Sequence, residues 1–181
     1  MVKVLGGIDN EIKLNIEKCL SSSNVCGREL REAHYYLGCK LGLYISSKRR
    51  LIKRKIAVLI MMRAGLPFGF GVADSLDRYN DVTVLFSTSE NDFSSFEIVI
   101  IADAVVNTGK TILEIINKMD NRNVVIATNV ISDKHRDNLK DVDIFSIRVS
   151  QHSYKGTTVK FISNGKGPDT GDRLFNNSFY K

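Results

Sequence analysis

The sequence predicts an α/β protein with an open, mainly parallel β-sheet flanked by helices, preceded by an N-terminal helical segment. Three observations carry this expectation. Six short runs rich in Val and Ile follow residue 55: Ile56–Met62, Val82–Phe86, Phe96–Ala102, Val124–Val130, Ile144–Val149 and Thr158–Ile162. They are near-continuous in hydrophobicity, as strands buried on both faces of a parallel sheet require. Helix-length stretches such as Thr111–Met119 and Asp133–Leu139 separate several of them, and strands alternating with helices build open α/β sheets.

The elements follow in order. Asp9 and Asn10 can cap a helix running to Leu20, and Ser21-Ser22-Ser23-Asn24 breaks it. Leu30, Ala33, Leu37, Leu41 and Ile45 recur at helical spacing, which predicts a second helix from Gly27 to Ser46. A basic turn, Lys48-Arg49-Arg50 and Lys53-Arg54-Lys55 around Leu51-Ile52, leads into the first strand. No repeat or low-complexity segment interrupts the chain. Its 181 residues therefore read as a single domain, 1–181, with a helical segment at 1–50 and an α/β core at 51–181.

Composition narrows the function classes. Hydrophobic residues make up 43% and charged residues 25%, which is globular rather than disordered. The apolar run Ile56–Met62 is far too short to span a bilayer, so no membrane is expected. The start, MVKVLGGIDNEIK, lacks a signal-peptide layout, and a cytoplasmic location is the expectation. Cys19, Cys26 and Cys39 show no CxxC spacing and read as reduced, partly buried thiols. His34, His135 and His152 share no spacing for a metal or a triad, and each reads as a surface or supporting residue. The net charge of +6 suits anionic ligands or nucleic acid. The basic cluster at 48–55 lacks aromatic interleaving, so it reads first as a solvated turn and only secondarily as a nucleic-acid contact.

Ligands of open α/β sheets bind beyond the carboxyl ends of the strands, and three strand ends carry chemistry. After the first strand comes Met62-Arg63-Ala64-Gly65-Leu66, where a guanidinium beside a glycine turn can grip an anion. After the third, Asp103 is followed by Asn107-Thr108-Gly109-Lys110-Thr111 at the start of a helix. Unpaired N–H groups, hydroxyls and an ammonium there form an anion cradle. It fits either a phosphoribosyl-binding loop or a relaxed nucleotide P-loop, the latter with Ala104 where the strict pattern has glycine. Near the C-terminus, Lys166-Gly167-Pro168-Asp169-Thr170-Gly171-Asp172-Arg173 suggests a tight loop presenting polar groups; an Asp172–Arg173 surface pair is the plainer reading.

Taken together and in this order, the three segments resemble those of uracil phosphoribosyltransferase, a Rossmann-like type I phosphoribosyltransferase. Arg63-Ala64-Gly65-Leu66 resembles the family's pyrophosphate loop. Asp103 to Thr111 is similar to its phosphoribosyl pyrophosphate (PRPP) motif, and Asp169 to Phe175 to its uracil loop. The resemblance implies conversion of PRPP and uracil to UMP and pyrophosphate with Mg2+, and a homodimer with the helix around Arg31 to Gly42 as candidate surface. It assigns pyrophosphate to Arg63, ribose hydroxyls to Asp103, and the 5′-phosphate to Thr108, Gly109, Lys110 and Thr111, with Ala64 and Asn107 also in contact with PRPP. Asp169 would meet PRPP or the magnesium shell, with no direct protein ligand to the metal. Asn164, Pro168, Asp169 and Thr170 would meet the base, and Arg63, Asp103 and Asp169 form the expected catalytic set. The family's hood carries an arginine after a tyrosine; here Val82–Phe96 is short and has neither. That departure keeps a second expectation open, a relative that binds a phosphoribosyl ligand without turnover.

Overall fold

The computed structural model describes residues 2–87, 91–119, 123–151 and 169–176. The expected strand at 158–162, along with Asn164, Pro168 and His152, lies outside them. Helix α1 (Asn10–Cys19) begins as expected, with the Asp9 carboxylate accepting the Ile12 N–H at 2.7 Å. Helix α2 (Gly27–Arg49) runs on past Ser46 and ends at Arg50, whose left-handed conformation (φ 52) turns the chain toward the sheet. The expected runs become β2 (Lys55–Ile60), β3 (Asp81–Phe86), β4 (Ile98–Val106), β5 (Val124–Ser132) and β6 (Asp143–Ser150). Helix α4 (Lys110–Ile116) follows β4, and a 3-10 turn (Asp133–Leu139) follows β5.

Three elements differ from expectation. Val2–Val4 forms an edge strand, β1, paired in parallel with β6, so the N-terminal segment is not wholly helical. Leu66–Asp77 forms helix α3, with Pro67 in its first turn where a missing N–H costs nothing. Thr170–Phe175 forms helix α5 rather than a loop.

The sheet is parallel throughout the described residues, in the order β1-β6-β5-β4-β2-β3. From β2 the chain steps outward to β3, then returns to β4 on the other side of β2. The order therefore reverses between β2 and β4. One face of the sheet packs on α1, α2, α3 and α5 through Leu30, Leu37, Leu41, Phe68, Val72 and Leu174. The other packs on α4 and the 3-10 turn through Ile112 and Leu139.

On this second face the side-chain alternation changes phase in three neighbouring strands. It is met by Val99 and Ile101 but then Val106 in β4, by Ile126 but then Ile131 in β5, and by Ile144 but then Val149 in β6. The change falls on one row, Asp103↔Thr128↔Ser146. Here side chains bond to the backbone two residues on: Thr128 Oγ1 donates to Val130 O at 3.1 Å and Ser146 Oγ to Arg148 O at 2.7 Å. A one-residue slip of phase turns every later side chain to the opposite face.

Helices α2 and α3 cross closely because small residues meet there. A Cβ on Gly38 would fall on the Phe68 carbonyl, and one on Gly71 on the Tyr35 carbonyl. The α2 surface expected to serve a dimer is thus partly used within the chain; Tyr35 and Leu43 remain exposed. The basic cluster lies at the amino-terminal edge of the sheet, where Arg49 pairs with Asp143 and Arg54 with Glu97 at 2.7 Å. No described helix is long and apolar enough to cross a membrane.

Gly38→Val should lower the unfolding free energy by roughly 3 kcal/mol through overpacking against backbone that cannot rotate aside. Ser47→Ala, on the exposed side of the same helix, should change it by less than about 0.5 kcal/mol. Urea denaturation of the two variants checks both.

Candidate active site

The reversal of strand order leaves a crevice at the carboxyl ends of β2 and β4. The two strands are in register from Ile56↔Ile98 to Ile60↔Ala102, and the Met61 N–H continues the ladder to the Ala102 carbonyl at 2.9 Å. The chain then leaves β2 through a turn closed by the Gly65 N–H on the Met61 carbonyl at 3.0 Å. Met62 N–H donates to Ser87 Oγ at 2.9 Å, tying the turn to the end of β3. The Met62–Arg63 peptide is cis.

A pocket of about 400 Å³ opens here, lined by Met62, Arg63, Ala64, Asp103, Val105, Asp169, Thr170 and Gly171. Its size suits a small-molecule ligand. All three segments singled out from the sequence contribute to this wall, although they are far apart in the chain. Met62, Val105 and Gly171 lie within those segments but were given no role in the sequence reading.

Asp103 does not end its strand, as the apolar run suggested. Strand β4 continues through Ala104-Val105-Val106, so Asp103 projects from the row where the sheet changes phase. The residue is only partly exposed. Burial pushes its carboxyl up to about 7, against the pull of the Ala104 and Val105 N–H groups that bond to it.

The loop after β4 keeps its expected shape. Gly109 takes the left-handed conformation (φ 71) that starts α4, and the Lys110 N–H lies 3.4 Å from Thr108 Oγ1. Asn138 Nδ2 donates to the Thr108 carbonyl at 3.1 Å. Thr108, Lys110 and Thr111 are exposed. Among the described residues the buried Asn107 Oδ1 has no hydrogen-bond partner, and it is an acceptor that a hydroxyl-bearing ligand can satisfy. These residues do not line the pocket itself; they continue from Val105 in its wall.

The C-terminal segment departs furthest from the sequence reading. Asp169 is the N-cap of α5, and its Oδ1 accepts the Asp172 N–H at 2.7 Å in a capping box. Asp172 pairs with Arg63, Oδ1 to Nη2 at 2.8 Å, instead of with Arg173. Asp169 Oδ1 lies 3.7 Å from the same nitrogen. Arg173 points the other way and is 1% exposed. Its guanidinium donates to the carbonyls of Leu20 at 2.9 Å and Val25 at 2.8 Å, between α1 and α2. The Asp-x-x-Asp spacing is a capping signature that could have revealed both α5 and Asp172.

Behind α5 lies a buried polar layer. His34, expected as a surface or supporting residue, is 1% exposed, and Asn129 Nδ2 meets its Nδ1 at 3.5 Å. Burial, with Arg173 and Arg148 nearby, pushes His34 down to about 3. Burial pushes the Cys19 thiol up to about 12 despite a hydrogen bond from Asn129. All three cysteines are free.

The family model described as UPRTase, uracil phosphoribosyltransferase, matches residues 43–177. No curated protein matches in sequence. Among solved structures, the AQ2163 protein from Aquifex aeolicus is similar over 98% of this chain and 99% of its own, at 20% identity and a TM-score of 0.70. A hypoxanthine-guanine phosphoribosyltransferase from Bacillus anthracis is similar over 66% of this chain and 78% of its own, at 18% identity and a TM-score of 0.50. At these identities the likeness is one of fold.

The raised Asp103 pKa makes a pH prediction. Between its unfolded value of about 3.8 and about 7, the folded chain holds a proton that the unfolded chain has lost. Stability from this group therefore falls as pH rises through that window. Asp103→Asn removes the effect and should be more stable than the parent by roughly 1–2 kcal/mol at pH 8, with the gain vanishing near pH 4. Thermal melts at both pH values check it; an equal difference at the two would contradict the account.

Proposed function

Because the chain belongs to the uracil phosphoribosyltransferase family, we propose that it transfers a phosphoribosyl group from PRPP to a pyrimidine base, uracil foremost, for nucleotide salvage in the cytoplasm. The observation that supports this most is the meeting of Arg63, Asp103 and Asp169 around one pocket at the reversal of strand order.

In this reaction the C1′–oxygen bond to pyrophosphate breaks as the base nitrogen bonds to C1′, and the base loses its proton. The transition state is oxocarbenium-like, so the site needs to orient the sugar and to stabilise a leaving diphosphate. Arg63 would supply a guanidinium to the diphosphate. Asp103 would bind the ribose hydroxyls; with a carboxyl near neutrality it can accept or donate a hydrogen bond. The loop from Asn107 to Thr111 would hold the 5′-phosphate on its N–H groups and hydroxyls, with Lys110 adding charge. Asp169 and Thr170 would face the base side, along with Asn164 and Pro168 outside the described residues.

Among the described residues, no group of three His, Cys, Asp or Glu could hold a metal ion. Asp169, which lines the pocket, would reach the shell of an Mg2+ ion carried by diphosphate and water. Bound in this way, the ion would offset charge developing on the leaving pyrophosphate. The P-loop alternative gives Asp103 no role, although Asp103 lines the pocket. A homodimer is the proposed assembly, by family.

A second reading, ligand binding without turnover, is favoured by the β3–β4 connection. It is short and lacks the arginine and tyrosine of the family's hood. One assay separates the two: PRPP, Mg2+ and a panel of bases, with nucleotide product measured. The proposal expects UMP from uracil, and a loss of at least about 100-fold in Asp103→Ala. PRPP binding without product from any base would establish the second reading, and binding of neither PRPP nor UMP would remove both.

A further inference from the structure

The first turn of α5 does more than lie beside the pocket. Arg63 lays one edge of its guanidinium on it. Nη2 donates to Asp172 Oδ1 at 2.8 Å. A Cβ on Gly171 would sit 3.1 Å from Arg63 Nε and 3.2 Å from Nη2, so a side chain there would push the guanidinium aside by a few tenths of an ångström. The other two nitrogens, Nε and Nη1, make no hydrogen bond among the described residues. The Arg63 side chain is 44% exposed, whereas that of Asp172 is 13% exposed.

Asp172 is itself immobilised. Its N–H donates to Asp169 Oδ1 at 2.7 Å, and its Oδ2 lies 3.4 Å from the Asp169 N–H. The helix that carries it is fixed from behind by Arg173 on the Leu20 and Val25 carbonyls. Arg31 Nη1 adds a bond to the Leu174 carbonyl at 2.7 Å. Both groups of the contact therefore belong to structure that is already held.

We propose that Asp172 and Gly171 are positioning residues for Arg63: they clasp the Nε–Nη2 edge so that Nη1 is presented to a diphosphate in the pocket. This rests on the phosphoribosyl reading of the site. A free arginine samples many rotamers, and binding an anion would then have to order it. The clasp does that ordering beforehand. It leaves Arg63 its charge and both N–H groups of Nη1, which suffice for a charge-assisted contact to a diphosphate oxygen.

The test is a double-mutant cycle with Arg63, measured with PRPP and Mg2+ in turnover and with magnesium pyrophosphate in calorimetry. Asp172→Ala should raise the KM for PRPP and the Kd for pyrophosphate about tenfold while kcat changes less than about twofold. Asp172→Asn keeps an acceptor and should recover most of the loss. Gly171→Ala should behave like Asp172→Ala. In an Arg63→Ala background, Asp172→Ala should have no further effect.

Equal losses in both backgrounds would mean that Asp172 acts through the fold alone and would overturn the inference. A parent protein that bound neither diphosphate would instead overturn the functional reading. The clasp can still be judged without ligand, from the side-chain 15N–1H signals of Arg63. They should be protected from solvent exchange in the parent and lose that protection in Asp172→Ala; identical signals in the two proteins refute the clasp.

Discussion

The parallel pairing of β2 with β4 is the constraint on which the rest depends. The two strands are neighbours in space but not in sequence, because β3 is inserted at the sheet edge between them. Their carboxyl ends diverge into different connections, one toward α3 and one toward α4, and a crevice between them is unavoidable. Arg63 and Asp103 stand on its two sides because Ile60 and Ala102 are in register. The hydrophobic face shared by Ile56, Val58, Ile60, Ile98, Ile100 and Ala102 fixes that register. Slipping it by one residue would turn a core face to the wrong side of the sheet.

The third wall of the pocket comes from a segment more than a hundred residues away from Arg63, and its placement rests on a buried charge. Arg173 donates to carbonyl oxygens at the end of α1 and in the connection to α2. A guanidinium carries five N–H donors in a fixed plane, so it can bind several carbonyls at once where a lysine would reach fewer. The same cation helps to keep His34 neutral. Charge on one side of α5 thus holds the helix to the scaffold, while Asp172 on the other side holds Arg63.

Much of this was legible in the sequence, for identifiable reasons. Five strands showed as apolar runs because parallel strands are buried on both faces. Helix α1 showed through its Asp9 cap and α2 through its spacing. Helix α3 did not, since Gly69 and Gly71 in LPFGFGVADSLD look like loop residues; in the fold they serve packing against Ile60 and against α2. Strand β1 is too short to show a period, and its partner β6 lies at the far end of the described chain. The end of β4 was placed at Asp103 instead of Val106, because a charge in an apolar run looks like its end. Arg63, Ala64, Asp103, Asp169 and Thr170, which line the pocket, were readable from the three segments, but the Arg63–Asp172 contact was not. Nothing in local sequence says which of two nearby arginines a carboxylate will choose.

The central claim is that these segments form one site for a phosphorylated ribose. A crystal structure of the protein with ribose 5-phosphate tests it most directly. The account predicts the phosphate on the N–H groups and hydroxyls between Thr108 and Thr111, with the ring hydroxyls at the Asp103 carboxylate. A sugar bound elsewhere, or this pocket left empty at saturating ligand, would contradict it.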